Sequence, residues 1–394
     1  MSGLMWIVAA LVVIAALSWV FRFAGQAATG NRPYFRDMSY GVAFGFVLGA
    51  AILIWVVYTF IKARFILDET AAAPYFFFIF AVEGLIVAGI AAWLFRAAGR
   101  LVGTGGTRKL FRSMPLTASF GILVIIIYAI LSIFAQVIAP YGQEEVFAAA
   151  NTLPGTDPMH PLGTDNIGRD LLSRLIYGAQ NTVGIAFVTT CLAFLLGGSL
   201  GFLAATLGGW LDQLVSRAVD VLMAIPSLIF ALLLMTIASA WAGNQGWLLT
   251  VYMIVIIAVI DSTRVFRLAR AVGINIVVMD YIEAAKLRGE GLGYLIFREI
   301  LPNAYAPLLA EFGLRFCFVF LTIASLSFLG VGIQPPLADW GTMVRDLAQF
   351  INFAAFSPLT AALPLMAAGA IALLTVSVNF VVDWMLQKSS GLKE

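Results

Sequence analysis

Long apolar runs separated by short polar segments dominate the hydrophobic pattern along this chain. A helix needs roughly twenty apolar residues to cross a bilayer, and about nine runs approach that length. The predicted spans are residues 4–20, 41–61, 75–95, 116–138, 182–209, 219–238, 247–262, 307–330 and 358–386. The turn-like composition of residues 240–246 (AWAGNQG) separates the sixth span from the seventh. We therefore predict an all-α, polytopic membrane protein.

The composition supports lipid as the outer solvent. Of the 394 residues, 62% are hydrophobic and 11% are charged, whereas soluble domains carry about 25% charged residues. The net charge of +2 is close to neutral, which argues against a broad basic surface and hence against nucleic acid as a partner. A single histidine and two cysteines are too few for a His-rich metal site or a disulfide framework. We predict neither a catalytic nor a metal site.

Lysine and arginine placement predicts the orientation, because cytoplasmic loops are enriched in both. Residues 96–112 carry five basic side chains and no acid, and residues 264–302 are also rich in basic side chains, so both segments are expected inside. The loop 139–170 is acidic and is expected outside. Counting spans from these loops places the N-terminus outside and the C-terminus in the cytoplasm. The residues before the first apolar run carry no positive charge, which argues against a cleaved signal peptide.

The segment 280–302 has the pattern of a short amphipathic helix, a glycine break, a second short helix, and a proline before the next span. A structured insertion of this size between membrane helices usually has a function, and its mixed charges suit docking to a soluble partner. Its spacing resembles the EAA loop of permease subunits in bacterial ABC importers. The matching residues are Glu283, Ala284, Ala285, Gly289, Leu301 and Pro302. The resemblance implies that this loop couples the membrane helices to an ATPase subunit.

Two further segments resemble the C-type permease subunit of dipeptide, oligopeptide and nickel importers. They are residues 160–179 (HPLGTDNIGRDLLSRLIYGA) and residues 330–341 (GVGIQPPLADWG). Within these segments, the resemblance assigns the following residues to an external loop or gate: His160, Gly163, Thr164, Asp165, Gly168, Arg169, Asp170 and Trp340. We expect Asp170 and Arg169 to fix the shape of the loop, and His160 to be a loop residue without a ligand role. The loop would contact a substrate-binding protein or plug the mouth of the pathway.

The resemblance also implies the organisation and the partners of the chain. Residues 111–394 would form a six-helix type I permease core, with an external loop at 139–175 and a cytoplasmic coupling loop at 264–302, and residues 1–110 would add three spans. The implied partners are a second homologous permease subunit, two ATPase subunits, an external substrate-binding protein and the lipid of the inner membrane. ATP and magnesium would bind the ATPase subunits, because residues 103–109 (GTGGTRK) lack the spacing of a P-loop. This chain would bind no cofactor.

Four charged residues lie in or near predicted spans: Glu83, Asp261, Glu311 and Arg315. Charges at such depth usually face protein or water. Glu311 and Arg315 are four residues apart on one helix face, and we favour a structural pair over substrate contact. Asp261, beside Arg264, is expected at the cytoplasmic interface.

Two other functions remain open on the sequence alone. An ion-gradient-driven secondary transporter would require internal repeats and mid-membrane polar groups, and the EAA-like loop would then have no explanation. A membrane enzyme would require clustered reactive side chains at one depth. The substrate of an importer could be a peptide, an oligosaccharide, an opine or nickel, because no motif identifies it.

Overall fold

The structure is a computed structural model that describes residues 13–22, 38–62, 76–147, 149–243, 245–354 and 357–389. The regular elements in this part of the chain are helices, so the predicted all-α class is confirmed. The chain divides into two compact units, Met1–Ile86 and Val87–Glu394. The division falls inside a helix, whereas the sequence placed a boundary at residue 110.

The first unit contains α1 (Val13–Arg22), α2 (Tyr40–Ile61) and the beginning of α3 (Phe76–Val102). The hydroxyl of Ser39 caps α2 by accepting a hydrogen bond from the backbone N–H of Val42 at 3.3 Å, which satisfies one donor of the first turn. Of the predicted first span, residues 4–12 lie outside the described residues, and residues 13–20 belong to α1.

The second unit contains the rest of α3 and the remaining helices. They are α4 (Gly105–Ser113), α5 (Leu116–Ile133), α6 (Ala135–Ile138), α7 (Leu171–Gly178), α8 (Gly184–Leu207), α9 (Gly209–Met223), α10 (Ser227–Ala242), α11 (Gly246–Val277), α12 (Asp280–Leu287), α13 (Leu292–Tyr294), α14 (Leu301–Phe328), α15 (Trp340–Leu347) and α16 (Pro358–Ser389). A π-helical turn (Ala179–Val183) joins α7 to α8, and another (Leu295–Ile300) joins α13 to α14. Each joined pair therefore forms one longer rod.

Seven described helices are long and apolar enough to cross a membrane, and the pair α9–α10 makes an eighth if it counts as one span. This number is close to the nine predicted. The predicted sixth span, residues 219–238, was wrong as one straight helix. The chain bends by 90° between Met223 and Ser227, where Pro226 lacks the N–H that a continuous helix would use.

Two predicted loops were too long. The structure continues α11 to Val277 and starts α7 at Leu171, so the first part of the 264–302 segment and the last part of the 139–175 segment are helical. An apolar helix that extends past the membrane gains charged residues near its end without losing its backbone hydrogen bonds. Hydropathy alone therefore placed the end of α11 too early.

Glycines allow α8 and α11 to pack with their backbones in close contact. A Cβ at Gly197 would lie 2.3 Å from the Ser262 carbonyl oxygen, and one at Gly201 would lie 2.7 Å from the Phe266 carbonyl oxygen. Small residues at such crossings permit close helix approach in membrane proteins. Since the contacts advance together along both helices, α8 and α11 run parallel.

The bundle therefore has two distinct ends. At one end, the start of α8 lies near Asp339 and Trp340, because Thr182 bonds to both residues. At the other end, Phe202 of α8 packs in one apolar cluster with Ile276, Ile282 and Ile300. The two segments that the sequence singled out, around residues 160–179 and 280–302, consequently lie at opposite ends of the second unit.

Candidate functional site

The coupling segment, which we define as residues 278–302, is anchored by a small apolar core. In α12, Ile282 and Ala285 are fully buried and pack against Leu295 and Ile300 of the following π-helical turn. The opposite face of α12, which includes Glu283 and Ala284, is exposed. Burial on one face holds α12 against the bundle, while the other face is available for a partner.

Gly289 ends α12 in a left-handed turn. Its φ angle is +82°, a region that residues with a Cβ rarely adopt. The N–H of Gly289 donates to the Lys286 carbonyl at 2.9 Å, and the N–H of Glu290 donates to the Ala285 carbonyl at 3.2 Å. This pair of bonds is a Schellman motif. It reverses the chain so that the π-helical turn Leu295–Ile300 can pack back against α12.

The six predicted coupling residues occupy different environments. Glu283, Ala284 and Gly289 are exposed on or beside α12, whereas Ala285 is buried. Leu301 and Pro302 begin α14, 36% of Leu301 is exposed, and both residues continue the rod that starts at Leu292. The second short helix and the following span are therefore continuous through Pro302. Proline is tolerated in the first turn of a helix because its missing N–H is not required there.

At the opposite end, the long loop, residues 139–170, is held by buried polar contacts. His160 Nδ1 lies 3.0 Å from Asp170 Oδ1, and the imidazole packs against the rings of Tyr141 and Phe147, which also contact each other. The other oxygen of Asp170 accepts hydrogen bonds from the N–H and hydroxyl of Ser173, both at 2.7 Å. Asp170 thus caps α7 and fixes His160 at the same time.

Arg169, which was expected to fix the shape of the loop together with Asp170, does so through Asp165. Its Nε donates to Asp165 Oδ2 at 2.7 Å, and Arg174 Nε lies 3.6 Å from the same oxygen. The other carboxylate oxygen of Asp165 accepts from the N–H groups of Ile167 and Arg169. Asp165 therefore organises the tight turn before α7, because a short acidic side chain can accept bonds from the backbone that follows it.

Two glycines and Thr164 allow separate segments of the long loop to pack in close contact. Gly163 and Gly168 have φ angles of +80° and +87°. A Cβ at Gly163 would lie 2.1 Å from the Thr152 carbonyl oxygen, and one at Gly168 would lie 2.4 Å from the Phe147 carbonyl oxygen. The hydroxyl of Thr164 donates to the Ala149 carbonyl at 2.7 Å. The loop is consequently compact and fixed in shape.

Trp340 joins this end to the membrane helices. The indole is 2% exposed, and its N–H donates to the Leu175 carbonyl at 2.9 Å. Its ring meets Tyr128 and Phe320 edge to face, with centroids 5.4 and 6.1 Å away. Gly178 makes room for it, since a Cβ there would lie 2.4 Å from the indole. Trp340 is therefore a packing anchor that several elements share.

The sequence missed the polar contacts beside Trp340. Asp339 accepts hydrogen bonds from the Thr182 hydroxyl at 2.9 Å and from the Thr342 N–H at 2.8 Å. Burial raises the pKa of the Asp339 carboxyl group, against the lowering effect of these hydrogen bonds. Aspartate is a common residue immediately before the first turn of a helix, so the sequence could have indicated that Asp339 caps α15. The contact between Asp339 and Thr182 could not have been detected from the sequence.

Charged side chains also meet inside the bundle. Glu311 pairs with Arg315 at 2.7 Å, as expected from their spacing. Asp261 is 5% exposed and lies 3.6 Å from both Arg264 and Arg315. Since α11 extends sixteen residues beyond Asp261 to Val277, the interfacial position of Asp261 stays a prediction. Among the described residues, no three His, Cys, Asp or Glu side chains are grouped to hold a metal.

A further ion pair holds α9 to α11 near the coupling segment. The guanidinium of Arg270 binds both carboxylate oxygens of Asp212, with Nη2 2.6 Å from Oδ2. Two parallel N–H···O bonds fix geometry as well as charge. The residues are 58 positions apart, so no local spacing pointed to this contact.

Comparison with known proteins places these segments in context. Residues 197–390 match the family model described as "Binding-protein-dependent transport system inner membrane component". The chain is 36% identical over 242 residues to the dipeptide transport system permease protein DppC of Haemophilus influenzae, which covers 60% of this chain and 79% of the relative. Identity to DppC of Escherichia coli K12 is 38% over 242 residues, covering 60% and 78% of the two chains.

A relative with another named solute is also similar. The glutathione transport system permease protein GsiD of Pectobacterium atrosepticum is 30% identical over 236 residues, covering 60% of this chain and 75% of the relative. Of the functions that the sequence left open, these relatives support the importer permease. The chain belongs to the family of binding-protein-dependent transport system inner membrane components and is a permease subunit of the ABC peptide transporter family.

Proposed function

We propose that this chain forms half of a gated pathway for peptides and couples that pathway to a separate ATPase through the coupling segment. The observation that carries the coupling role is the division of α12 into two faces. Ile282 and Ala285 are buried in the bundle, and Glu283 and Ala284 are exposed beside them. A push on the exposed face would therefore reach α11 and α14 through packed side chains.

The rigid connection of α12 to the membrane helices supports this role. Leu295 and Ile300, which pack on α12, belong to the rod that continues into α14. On the other side, Ile276 near the end of α11 joins the same apolar cluster. Since packed interiors transmit displacement rather than absorb it, movement of α12 would change the positions of both helices.

The partners follow from the family and from the two ends of the bundle. One chain supplies half of a pathway, so a second homologous permease completes it, and two ATPase subunits dock at the two coupling segments. The long loop, with Trp340 at its base, faces the external substrate-binding protein and plugs the pathway from outside. This arrangement places the chain in the bacterial inner membrane with the N-terminus outside and the C-terminus in the cytoplasm.

The extra N-terminal unit and the substrate complete the proposal. Residues 1–110 form a region added to the permease core at 111–394. The chain binds no cofactor and catalyses no reaction, and ATP with magnesium binds the partner ATPase. Peptides are the proposed cargo, because relatives are named for transport of dipeptides, di- or tripeptides and glutathione.

The test is co-purification of the tagged full-length chain in mild detergent, with ATPase activity measured after reconstitution. We expect ATPase subunits and a second permease to co-purify with the wild-type chain. Reversal of charge by Glu283→Arg places a repulsive group on the docking face, and we expect at least a tenfold loss of bound ATPase.

The matched control is Asp346→Arg, which makes the same charge reversal on α15 at the opposite end. We expect this variant to retain the ATPase subunits. Equal loss in both variants would contradict docking at α12. Purification of the wild-type chain alone, with ion-dependent transport in liposomes, would contradict the importer itself.

A further inference from the structure

Four charged side chains meet halfway along two membrane helices. Asp261 and Arg264 lie near the middle of α11, and Glu311 and Arg315 lie near the middle of α14. From Asp261 to either end of α11 is about 23 Å at 1.5 Å per residue, so the cluster lies far from both ends of this helix. Ionisable groups at this depth usually line a cavity or a solute pathway.

The cluster contains hydrogen-bonding atoms without partners. Asp261 Oδ1 and Arg315 Nη1 are buried and have no hydrogen-bond partner among the described residues, whereas Arg315 Nε lies 2.7 Å from Glu311 Oε1. The two cations nearest to Asp261 Oδ1 are each 3.6 Å away, which is beyond the usual hydrogen-bond distance of about 3.2 Å. One acceptor and one donor thus remain unsatisfied at one point, although buried polar atoms are normally bonded.

A cavity of about 150 Å³ opens beside Asp261 and Arg264. It lies among α10, α11 and α14, and its lining includes Ser227, Asp261, Arg264, Phe318 and Thr322. Since one water occupies about 30 Å³ of liquid, this volume corresponds to about five waters. The space therefore suits the backbone of one dipeptide or one end of a longer peptide.

The charges define the chemistry of the ligand. Two acids and two arginines make the cluster neutral overall, so a purely cationic or purely anionic solute would meet an equal number of like charges. A zwitterion presents one ammonium and one carboxylate, which match the free acceptor atom of Asp261 and the donors of Arg264 in the cavity wall. Phe318, with Arg315 4.6 Å from its ring centroid, holds the guanidinium in place through a cation–π contact.

We propose that this cluster is a solute-binding subsite of the pathway, and that it binds a zwitterionic peptide with its α-amino group on Asp261 and its α-carboxylate on Arg264. The subsite rests on the proposed function, because it requires a solute to pass along the helices. The second permease subunit closes the side on which 39% of the Arg264 side chain is exposed, since an arginine facing lipid would be unfavourable.

The experiment compares uptake of alanylalanine, its N-acetyl derivative and its C-terminal amide in proteoliposomes that hold the whole importer. Any preference of the binding protein is the same for every permease variant, so it cancels when variants are compared. Wild type is expected to prefer alanylalanine. We expect Asp261→Asn to reduce the preference over the N-acetyl derivative at least tenfold, and Arg264→Gln to reduce the preference over the amide by a similar factor.

The control is Asp346→Asn, the same chemical change in an aspartate outside the cluster, and we expect wild-type preferences. Equal loss of uptake for all three compounds in Asp261→Asn would overturn the subsite and leave only a role in helix packing. If the importer with Asp261→Asn or Arg264→Gln hydrolyses ATP but has the same preferences among the three compounds as wild type, the subsite is contradicted and the proposed function is not. Failure to assemble with any ATPase contradicts the proposed function.

A second measurement covers the case in which these variants do not fold. In a full-length chain with Cys191→Ser and Cys317→Ala, Thr322→Cys places a thiol in the cavity wall. During ATP turnover, alanylalanine is expected to slow modification of this thiol at least fivefold more than the N-acetyl derivative does. Equal rates with both peptides would overturn the proposal.

Discussion

Replacement of Gly289 by alanine tests the turn on which the coupling segment depends. Gly289 adopts a φ angle of +82°, and no heavy atom lies within 4 Å of the position that a Cβ would occupy. The cost of alanine therefore comes from the backbone alone. An L-residue in the left-handed region costs roughly 1–2 kcal/mol relative to glycine.

That energy opposes two particular hydrogen bonds. If the turn opens, the N–H groups of Gly289 and Glu290 lose the carbonyls of Lys286 and Ala285. A change of about 1–2 kcal/mol alters a two-state equilibrium by about five- to thirtyfold. We expect Gly289→Ala to increase opening of the turn by this factor. Gly289→Asn should have a smaller effect, because asparagine tolerates the left-handed region better.

The assay is hydrogen–deuterium exchange of the full-length protein in detergent, followed on peptides that cover residues 280–291. Gly291→Ala is the matched control, because Gly291 has a φ angle of −75° and open space around its Cβ position. Exchange in this control should equal that of wild type. In the reconstituted importer, Gly289→Ala should also lower the fraction of ATP hydrolysis that drives uptake.

Exchange in Gly289→Ala as slow as in Gly291→Ala would refute the strain argument, because both variants add the same methyl group. Faster exchange with unchanged coupling would keep the strain argument and remove the turn from the coupling mechanism.

Other predictions concern the bundle and its loop-bearing end. Gly197→Ala should lower the melting temperature in detergent by several degrees, since its Cβ would lie 2.3 Å from the Ser262 carbonyl oxygen and overpacking costs about 1–3 kcal/mol. Gly198→Ala should not lower the melting temperature, because the space around its Cβ position is open. Equal melting temperatures of the two variants would contradict close packing of the helices. His160→Ala should cost about 2 kcal/mol and speed proteolysis of the long loop, whereas wild-type cleavage rates would exclude an anchoring role. Because burial raises the pKa of Asp339, its stabilising contribution is complete below about pH 3.9 and is lost as pH rises through the higher folded pKa. Asp339→Asn should flatten the dependence of melting temperature on pH between 4 and 8. A slope of melting temperature against pH equal to that of wild type would contradict the raised pKa of Asp339.

Hydropathy determined most of the helices because their outer faces meet lipid. The described helices α2, α3, α5 and α16 begin within one residue of the predicted spans, since turn residues or prolines precede them. Their ends were less certain. A chain can continue as a helix into water, as α11 does to Val277, and hydropathy does not detect that extension.

The coupling segment was predictable in its local form and not in its attachment. A glycine after an amphipathic helix indicates a left-handed cap, and the structure has this cap at Gly289. Burial of Ile282 against Leu295 and Ile300 depends on how the chain folds back. Sequence spacing alone did not distinguish the anchored face of α12 from the exposed one.

The sequence by itself determined the class of the protein, most of its helices, the pairing of Glu311 with Arg315 and the resemblance to importer permeases. These features depend on composition or on contacts within about one helical turn. The tertiary structure decided which distant side chains meet: Asp212 with Arg270, Thr182 with Asp339, and Asp261 with Arg315. Each contact joins residues at least 54 positions apart, and only the packing of helices brings such residues together.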